Sequence, residues 1–418
     1  MQTSLRGTKQ SYPIFASKFN EIASQSLAMT MDGQFQAYLQ LKRIVSPKTW
    51  HKLLFNIILY FYFIMENQNS NSLPPEFSLA STWYGPAMAQ AQHEWTKELT
   101  PVEIGELEKA AETILASGKN IASLSAKDFP LPTLGPKLTA MREELIHGRG
   151  FALIRGLPVA MCSEQEAGTI FYGLGCHLGS PRSQNAMGHT LGHVRDLGMK
   201  SSDPNTRIYQ TNERQTFHTD STDVVGLLCL RTAKVGGASL LVSATTIFNE
   251  IRKHRPDLLE LLLQPIATDR RGEVPEGMLP YLLIPVFSFY KGFLTVFYQR
   301  QYIDSAQRFP DAPRLTPLHI EALNMFDALA NDPKLCLSME LEPGDMQFVY
   351  NHALLHDRTG FQDWDEPSKK RHLLRLWLSI PGDRPLPEIF ATRFGTTEIG
   401  NRGGIIVKGT TLTIPWTN

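Results

Sequence analysis

The tripeptide His218-Thr219-Asp220, within Gln215-Thr216-Phe217-His218-Thr219-Asp220, sets an imidazole and a carboxylate two residues apart. Alternate residues of a β-strand project to one face, so a strand here would present both side chains together. A third ligand from a distant strand would complete two histidines and one carboxylate on one face of an octahedral ion. Non-haem Fe(II) oxygenases use that arrangement to leave the opposite positions open for cosubstrate and O₂. His356, in Asn351-His352-Ala353-Leu354-Leu355-His356-Asp357-Arg358, is the leading candidate for the third ligand, and His352, of the same strand parity, is its rival. With 12 histidines and 41 acidic residues in the chain, a His-x-Asp tripeptide also arises by chance and then reads as a solvated strand end.

A second group of residues gives the first its context. In Lys369-Lys370-Arg371-His372-Leu373-Leu374-Arg375-Leu376-Trp377, a strand would put Arg371, Leu373, Arg375 and Trp377 on one face and His372 on the other. If that face is interior, two guanidinium groups are buried there and each needs an anion, because an unpaired buried charge is costly. Four strand residues span roughly 13 Å, too far for both to hold one carboxylate, so the pattern proposes two acid-binding positions. A 2-oxoglutarate molecule would satisfy the first. Its C1 carboxylate and keto oxygen chelate iron, and its far carboxylate suits the planar, permanent charge of arginine. The plain alternative for either arginine is an exposed strand charge.

The elements that must position these residues are legible in outline. Thr100-Pro101-Val102-Glu103 is a capping box with proline at the first helical position, and that helix ends at Gly118. A second helix over about 134–147 ends at Gly148, Phe151 to Gly156 reads as a buried strand, and Ser163-Glu164-Gln165-Glu166 caps a third helix. Residues 179–215 have little periodicity and read as a long loop leading into the His218 segment, either covering a site or simply connecting. Val224 to Leu230, Ala238 to Val242, paired segments between 278 and 303, Leu337 to Leu341, Met346 to Tyr350 and Arg371 to Ile380 read as strands, with helices over 245–264 and from Thr316 to about Ala330. Helices first, then many short strands with glycine-rich turns, predicts an α+β chain with a mostly β core: a double-sheet jelly roll with flanking helices.

The whole chain sets outer bounds. It has 418 residues with 41 basic and 41 acidic side chains, and no basic stripe interleaved with aromatics, so nucleic acid is not an expected partner. Cys162, Cys176, Cys229 and Cys336 form no C-x-x-C pair and no disulfide framework, which fits a reducing, cytoplasmic compartment. The first 64 residues are unlike the rest. They are basic and acid-poor, and they lead into the apolar run Leu53 to Met65, which is short for the roughly 20 residues of a membrane-spanning helix. An organellar targeting segment is one reading of 1–64. The reading preferred here is an upstream extension, with Met65-Glu66-Asn67-Gln68 as a native start. Residues 77–390 are then the functional domain and 391–418 a C-terminal tail. A small-molecule substrate, no stable membrane span and a possible homo-oligomer complete the expected partners.

Phe217-His218-Thr219-Asp220, Gly236-Gly237-Ala238-Ser239-Leu240, Pro343-Gly344-Asp345, Leu355-His356-Asp357-Arg358-Thr359-Gly360-Phe361 and Arg371-His372-Leu373-Leu374-Arg375, in this order and spacing, resemble the taurine dioxygenase (TauD/TfdA) family of Fe(II)- and 2-oxoglutarate-dependent oxygenases, close to its clavaminate synthase-like branch. The resemblance implies that the jelly roll is a double-stranded β-helix and that His218, Asp220 and His356 hold iron. It also implies that Arg371 binds the far carboxylate of 2-oxoglutarate, assisted by the hydroxyl of Ser239, where family members often have threonine. Arg375 matches the position from which an arginine engages an acidic group of the substrate, although the same arginine could be kept for structure. The histidine and tyrosine that some members add for a sulfonate have no clear counterpart in 179–215, which argues against taurine itself. The presence of Asp220 argues against halogenation, since halogenating relatives carry a small residue there. The implied activity is hydroxylation or related oxidation with release of succinate and CO₂. The rival readings are a non-catalytic jelly-roll binding protein and a cupin-type metal enzyme, which would not need Arg371.

Overall fold

The computed structural model describes residues 73–199, 208–275, 277–407 and 409–416; the basic extension, its apolar run and the proposed start at Met65 lie outside them. The capping signals hold. Thr100 and Ser163 each accept a hydrogen bond from the backbone of the glutamate three residues on, in full capping boxes, and open the helices Pro101–Ser117 and Glu164–Leu178. Pro256 divides the expected 245–264 helix into Ala244–His254 and Pro256–Leu262, since proline cannot donate within a helix.

Two sheets face one another. The larger runs Thr96–Glu98, Phe151–Arg155, Met346–Tyr350, Val224–Arg231, His372–Ser379, Ser180–Pro181, with Leu191–Val194 also paired to His372–Ser379. The smaller runs Leu337–Met339, Ser239–Ser243, Leu354–Arg358, Gln215–His218 and is antiparallel throughout. Residues 179–215 are therefore not a plain loop. They contribute Ser180–Pro181 at the Leu378–Ser379 end of the larger sheet, and Leu191–Val194 and the short helix Ile208–Gln210, whose Val194 and Tyr209 line the cavity between the sheets, although residues 200–207 lie outside the described part.

Strand parity decides what faces what. On the smaller sheet Phe217, Val242 and Leu355 turn outward into an apolar layer with Ile247, Phe248, Leu323 and Phe326 of the covering helices. Their neighbours His218 and His356 therefore point inward, and a one-residue slip would reverse this. On the larger sheet, Leu376 packs against the Glu164–Leu178 helix, where a Cβ at Gly175 would come within 2.7 Å of Leu376 Cδ1. Leu373 and Arg375, of opposite parity, line the cavity between the sheets with His218 and His356. The layers are helix, large sheet, small sheet, helix: the expected jelly-roll core with flanking helices. The segment beyond residue 390 is part of this body, since Phe394 and Arg402 are fully buried.

Candidate active site

His218 and His356 are direct cross-strand partners, with ring centroids 4.2 Å apart. The expected strand ends at His218, so Asp220 is not on it. The chain turns instead, pinned where Thr219 N–H donates to the Tyr298 carbonyl at 2.9 Å and Tyr298 N–H donates to Thr219 Oγ1 at 3.0 Å. Asp220 N–H donates to Asn351 Oδ1 at 2.9 Å, which brings its carboxylate back to the histidines. Asp220 Oδ1 lies 3.9 Å from His218 Nε2, and Oδ2 lies 3.8 Å from His356 Nε2. One ligand atom from each residue falls within 4.8 Å of the others.

The chemistry of these donors fits a divalent iron. The Thr216 carbonyl accepts from His218 Nδ1–H at 2.9 Å, so the lone pair of His218 sits on Nε2, where the Gln215 Nε2 amide donates to it at 2.9 Å and Asp220 Oδ1 lies 3.9 Å away. Burial pushes the His356 imidazole down to about 3, with His218 beside it adding to the shift, so the ring is neutral. Burial by itself would raise the Asp220 carboxyl, but the Arg375 guanidinium, with the two histidines and the Trp377 N–H, holds it below its ordinary value and ionised. Two neutral imidazoles and one carboxylate are the hard-to-borderline donor set of a 2-His-1-carboxylate site.

Arg371 stands just before the His372–Ser379 strand, on the cavity side by way of an irregular register at His372–Leu373. Its side chain is 5% exposed, its Nη1 has no hydrogen-bond partner among the described residues, and burial pushes the group down to about 10, still charged at neutral pH. A buried guanidinium with a nitrogen left without a partner calls for an anion there. Its guanidinium lies over Phe361, as does that of Arg358, at 5.1 and 4.7 Å from the ring centre. The glycine pair explains how Arg371 gets there. Gly237 has φ +83°, and a Cβ on it would sit 3.0 Å from Arg371 Nε. Gly237 and Ala238 N–H both donate to Thr359 Oγ1 at 3.0 Å, tying the Gly-Gly turn to the segment after His356. Ser239 is buried on the same cavity and donates to Gln347 Oε1 at 2.9 Å.

Arg375 is also buried. Its Nε donates to Gln184 Oε1 at 2.8 Å, its guanidinium lies 4.6 Å from the Tyr209 ring and 5.1 Å from that of Trp377, and Nη1 is 3.8 Å from Asp220 Oδ2. Sequence parity had already put Trp377 on this face. Gln184 and Tyr209 carried no signal, because they sit in aperiodic segments.

His352 is not at this site. It turns into a fully buried network with Asp223, at 2.8 Å, and Arg402, whose Nε and Nη2 donate at 2.7 Å to Asp223 and Asp383. Another grouping, Glu164, His193 and His372, is closed by hydrogen bonds. Arg231 can only donate to His372 Nδ1, at 3.1 Å, so His372 Nε2–H donates to His193 Nδ1 at 2.8 Å and His193 Nε2–H to the Pro415 carbonyl at 2.6 Å. A roomier cavity, about 470 Å³, lies elsewhere, among Trp95, Leu138, Met141 and Phe151, and holds no such constellation. Pro343-Gly344-Asp345 has a structural role: Gly344 passes the Leu157 carbonyl, and Asp345 pairs with Arg155 at 2.9 and 2.7 Å.

Facing sheets with two histidines and a carboxylate gathered on the cavity between them present the fold and donor set of a 2-His-1-carboxylate metal site. The chain belongs to the taurine catabolism dioxygenase TauD, TfdA family, whose model matches residues 116–377. It is accordingly a dioxygenase that uses Fe(II), 2-oxoglutarate and O₂ on a small-molecule substrate. It is 34% identical over 312 residues to FR-33289 synthase of Streptomyces rubellomurinus, covering 73% of this chain and 91% of that protein. It is 31% identical over 183 residues to a uridine-5'-phosphate dioxygenase of Amycolatopsis sp, covering 41% of this chain and 64% of that protein. An asparagine oxygenase solved with Fe(II), 2S,3S-3-hydroxyasparagine and succinate has a similar fold, with TM-score 0.51 and 17% identity over 68% of this chain and 93% of that one. Among the described residues no helix is long and apolar enough to cross a membrane.

Proposed function

We propose that His218, Asp220 and His356 hold the Fe(II), that Arg371 binds the far carboxylate of 2-oxoglutarate with the Ser239 hydroxyl beside it, and that Arg375 receives an anionic group of a small organic substrate. The observation that carries this is the buried, unpartnered Nη1 of Arg371 on the same cavity as the two histidines. Residues 77–390 are taken as the catalytic domain, with the tail to 416 packed onto it. When bound, the iron with 2-oxoglutarate and O₂ supplies an oxidative decarboxylation to succinate and CO₂ coupled to oxidation of an unactivated C–H bond.

The side chains do the rest. His218 and His356 offer neutral nitrogens, Asp220 offers an ionised oxygen, and Trp377 and Arg375 hold that carboxylate from behind. Arg371 fixes the far end of the cosubstrate in one orientation through a charge-assisted pair. Arg375, held in a dry setting, orients an acid so that a carbon of the same molecule lies next to the metal. A phosphate, phosphonate or carboxylate suits it, and the relative named for uridine-5'-phosphate gives a precedent for an anionic substrate.

The test is an anaerobic titration of metal-free protein with Fe(II) and then 2-oxoglutarate, following the visible metal-to-ligand charge-transfer band, with His356→Ala and Arg371→Ala alongside. A band that needs both additions and fails in the variants is expected. No band from folded, iron-loaded protein would overturn the reading. Succinate release in the presence of a panel of small phosphates, phosphonates and carboxylates then identifies the substrate class.

A further inference from the structure

Arg375 is restrained on several sides. Nε is taken by Gln184 Oε1 at 2.8 Å, the guanidinium lies against the rings of Tyr209 and Trp377, and Nη1 faces Asp220 Oδ2 at 3.8 Å. Gln184 does more than accept. Its Nε2 donates to the carbonyl of Arg375 itself at 2.8 Å and to the Thr190 carbonyl at 3.2 Å. One buried amide therefore grips both the side chain and the backbone of a residue 191 positions away. The packing makes room for it. Gly192 pairs directly with Arg375, and a Cβ there would lie 2.5 Å from Gln184 Oε1.

We infer that Gln184 is a positioning residue that sets the rotation of the Arg375 guanidinium, so that the anionic group of the substrate meets its terminal nitrogens, of which Nη1 also faces Asp220 Oδ2 at 3.8 Å. This rests on the reading of Arg375 as the substrate anchor. A free arginine side chain has many rotamers to lose on binding, and restraining it beforehand lowers that cost. With Nε already engaged, the edge through Nε is closed, and an oxyanion must approach the terminal nitrogens instead.

The test uses inorganic phosphate as probe and the full-length protein loaded with Mn(II) and 2-oxoglutarate, reading phosphate affinity from ³¹P relaxation near the paramagnetic ion and 2-oxoglutarate affinity by calorimetry. Wild type is compared with Arg375→Gln, Gln184→Met and Gly192→Ala. Gln184→Met keeps the volume and removes the hydrogen bonds; Gly192→Ala crowds the amide without removing it. Both are expected to weaken phosphate binding about tenfold, the scale of a lost bond to a charged group, and to leave 2-oxoglutarate affinity within about twofold, whereas a merely structural role would weaken both ligands together. If Arg375→Gln loses phosphate and Gln184→Met and Gly192→Ala do not, the inference fails and the anchor reading stands. If wild type and Arg375→Gln do not differ, the anchor reading fails and takes the inference with it.

Discussion

Trp377 donates its indole N–H to Asp220 Oδ2 at 2.8 Å, from a position 157 residues further along the chain. The bond occupies one carboxylate oxygen and leaves Oδ1 turned to His218, the oxygen that Asp220 would offer to a metal held there. Trp377→Phe keeps a ring against Arg375 and removes the donor. Iron affinity should fall at least about tenfold, as for other residues that orient a metal ligand, with little change in the thermal melt. Chelator competition measures this, and an unchanged affinity would show that the bond does not matter to the metal.

Arg371→Ala should leave Fe(II) binding almost unaltered while raising the 2-oxoglutarate dissociation constant by an amount on the order of 2–5 kcal/mol, the cost of leaving a buried carboxylate without its partner. Calorimetric titrations of metal and cosubstrate separate the two. Equal losses for both ligands would move Arg371 from cosubstrate binding to structure.

Gly237 and Gly272 both have left-handed backbone, φ +83° and +81°, but only at Gly237 would a Cβ meet anything: Arg371 Nε, Cδ and Phe361. Substituting alanine at either should cost about 1 kcal/mol for the backbone. Gly237→Ala should in addition weaken 2-oxoglutarate binding severalfold, and Gly272→Ala should not. Matching cosubstrate affinities would mean that Arg371 shifts without consequence.

Acid should act on the histidines. Burial, with His193 and Arg231 nearby, pushes His372 down to about 3, against an unfolded value of about 6.5. Between these values the unfolded chain binds a proton that the fold refuses, so stability is lost as pH falls below 6.5, by up to about 1.4 kcal/mol per pH unit for one histidine. His372→Gln should flatten the dependence by about that slope between pH 6 and 4.5 in metal-free protein. Denaturant melts across that range measure it, and parallel curves would mean that His372 takes up its proton in the fold.

Much of this site could be read from residue order. The parity of Arg371, Leu373, Arg375 and Trp377 gave the cavity face because a strand has a strict two-residue period. His356 as the companion of His218 came from the family resemblance, since nothing local in the sequence joins the two segments. Asp220 reached its place by another route, since a turn held by Tyr298 and Asn351 replaced the strand; long-range backbone bonds of that kind leave no local pattern. His352 kept the right parity in sequence and still went elsewhere, drawn by Asp223 and Arg402 into a buried ionic network. Gln184 and Tyr209 were silent for the same reason: their partners lie across the fold, and a single glutamine or tyrosine in a segment rich in serine, glycine and asparagine has no period to betray it.

The pairing of the Gln215–His218 strand with Leu354–Arg358 also sets a clock. A chain made at roughly 5–20 residues per second emerges His218 first and His356 on the order of ten seconds later. Until then the earlier strand has an unpaired edge and no partner for its imidazole. Non-local pairing of this kind is slow to form even in the finished chain, because the closing loop must be ordered before any contact rewards it. Iron therefore meets a site that assembles late, and the yield of active protein should depend on how long the first half of the fold stays soluble while it waits for the second.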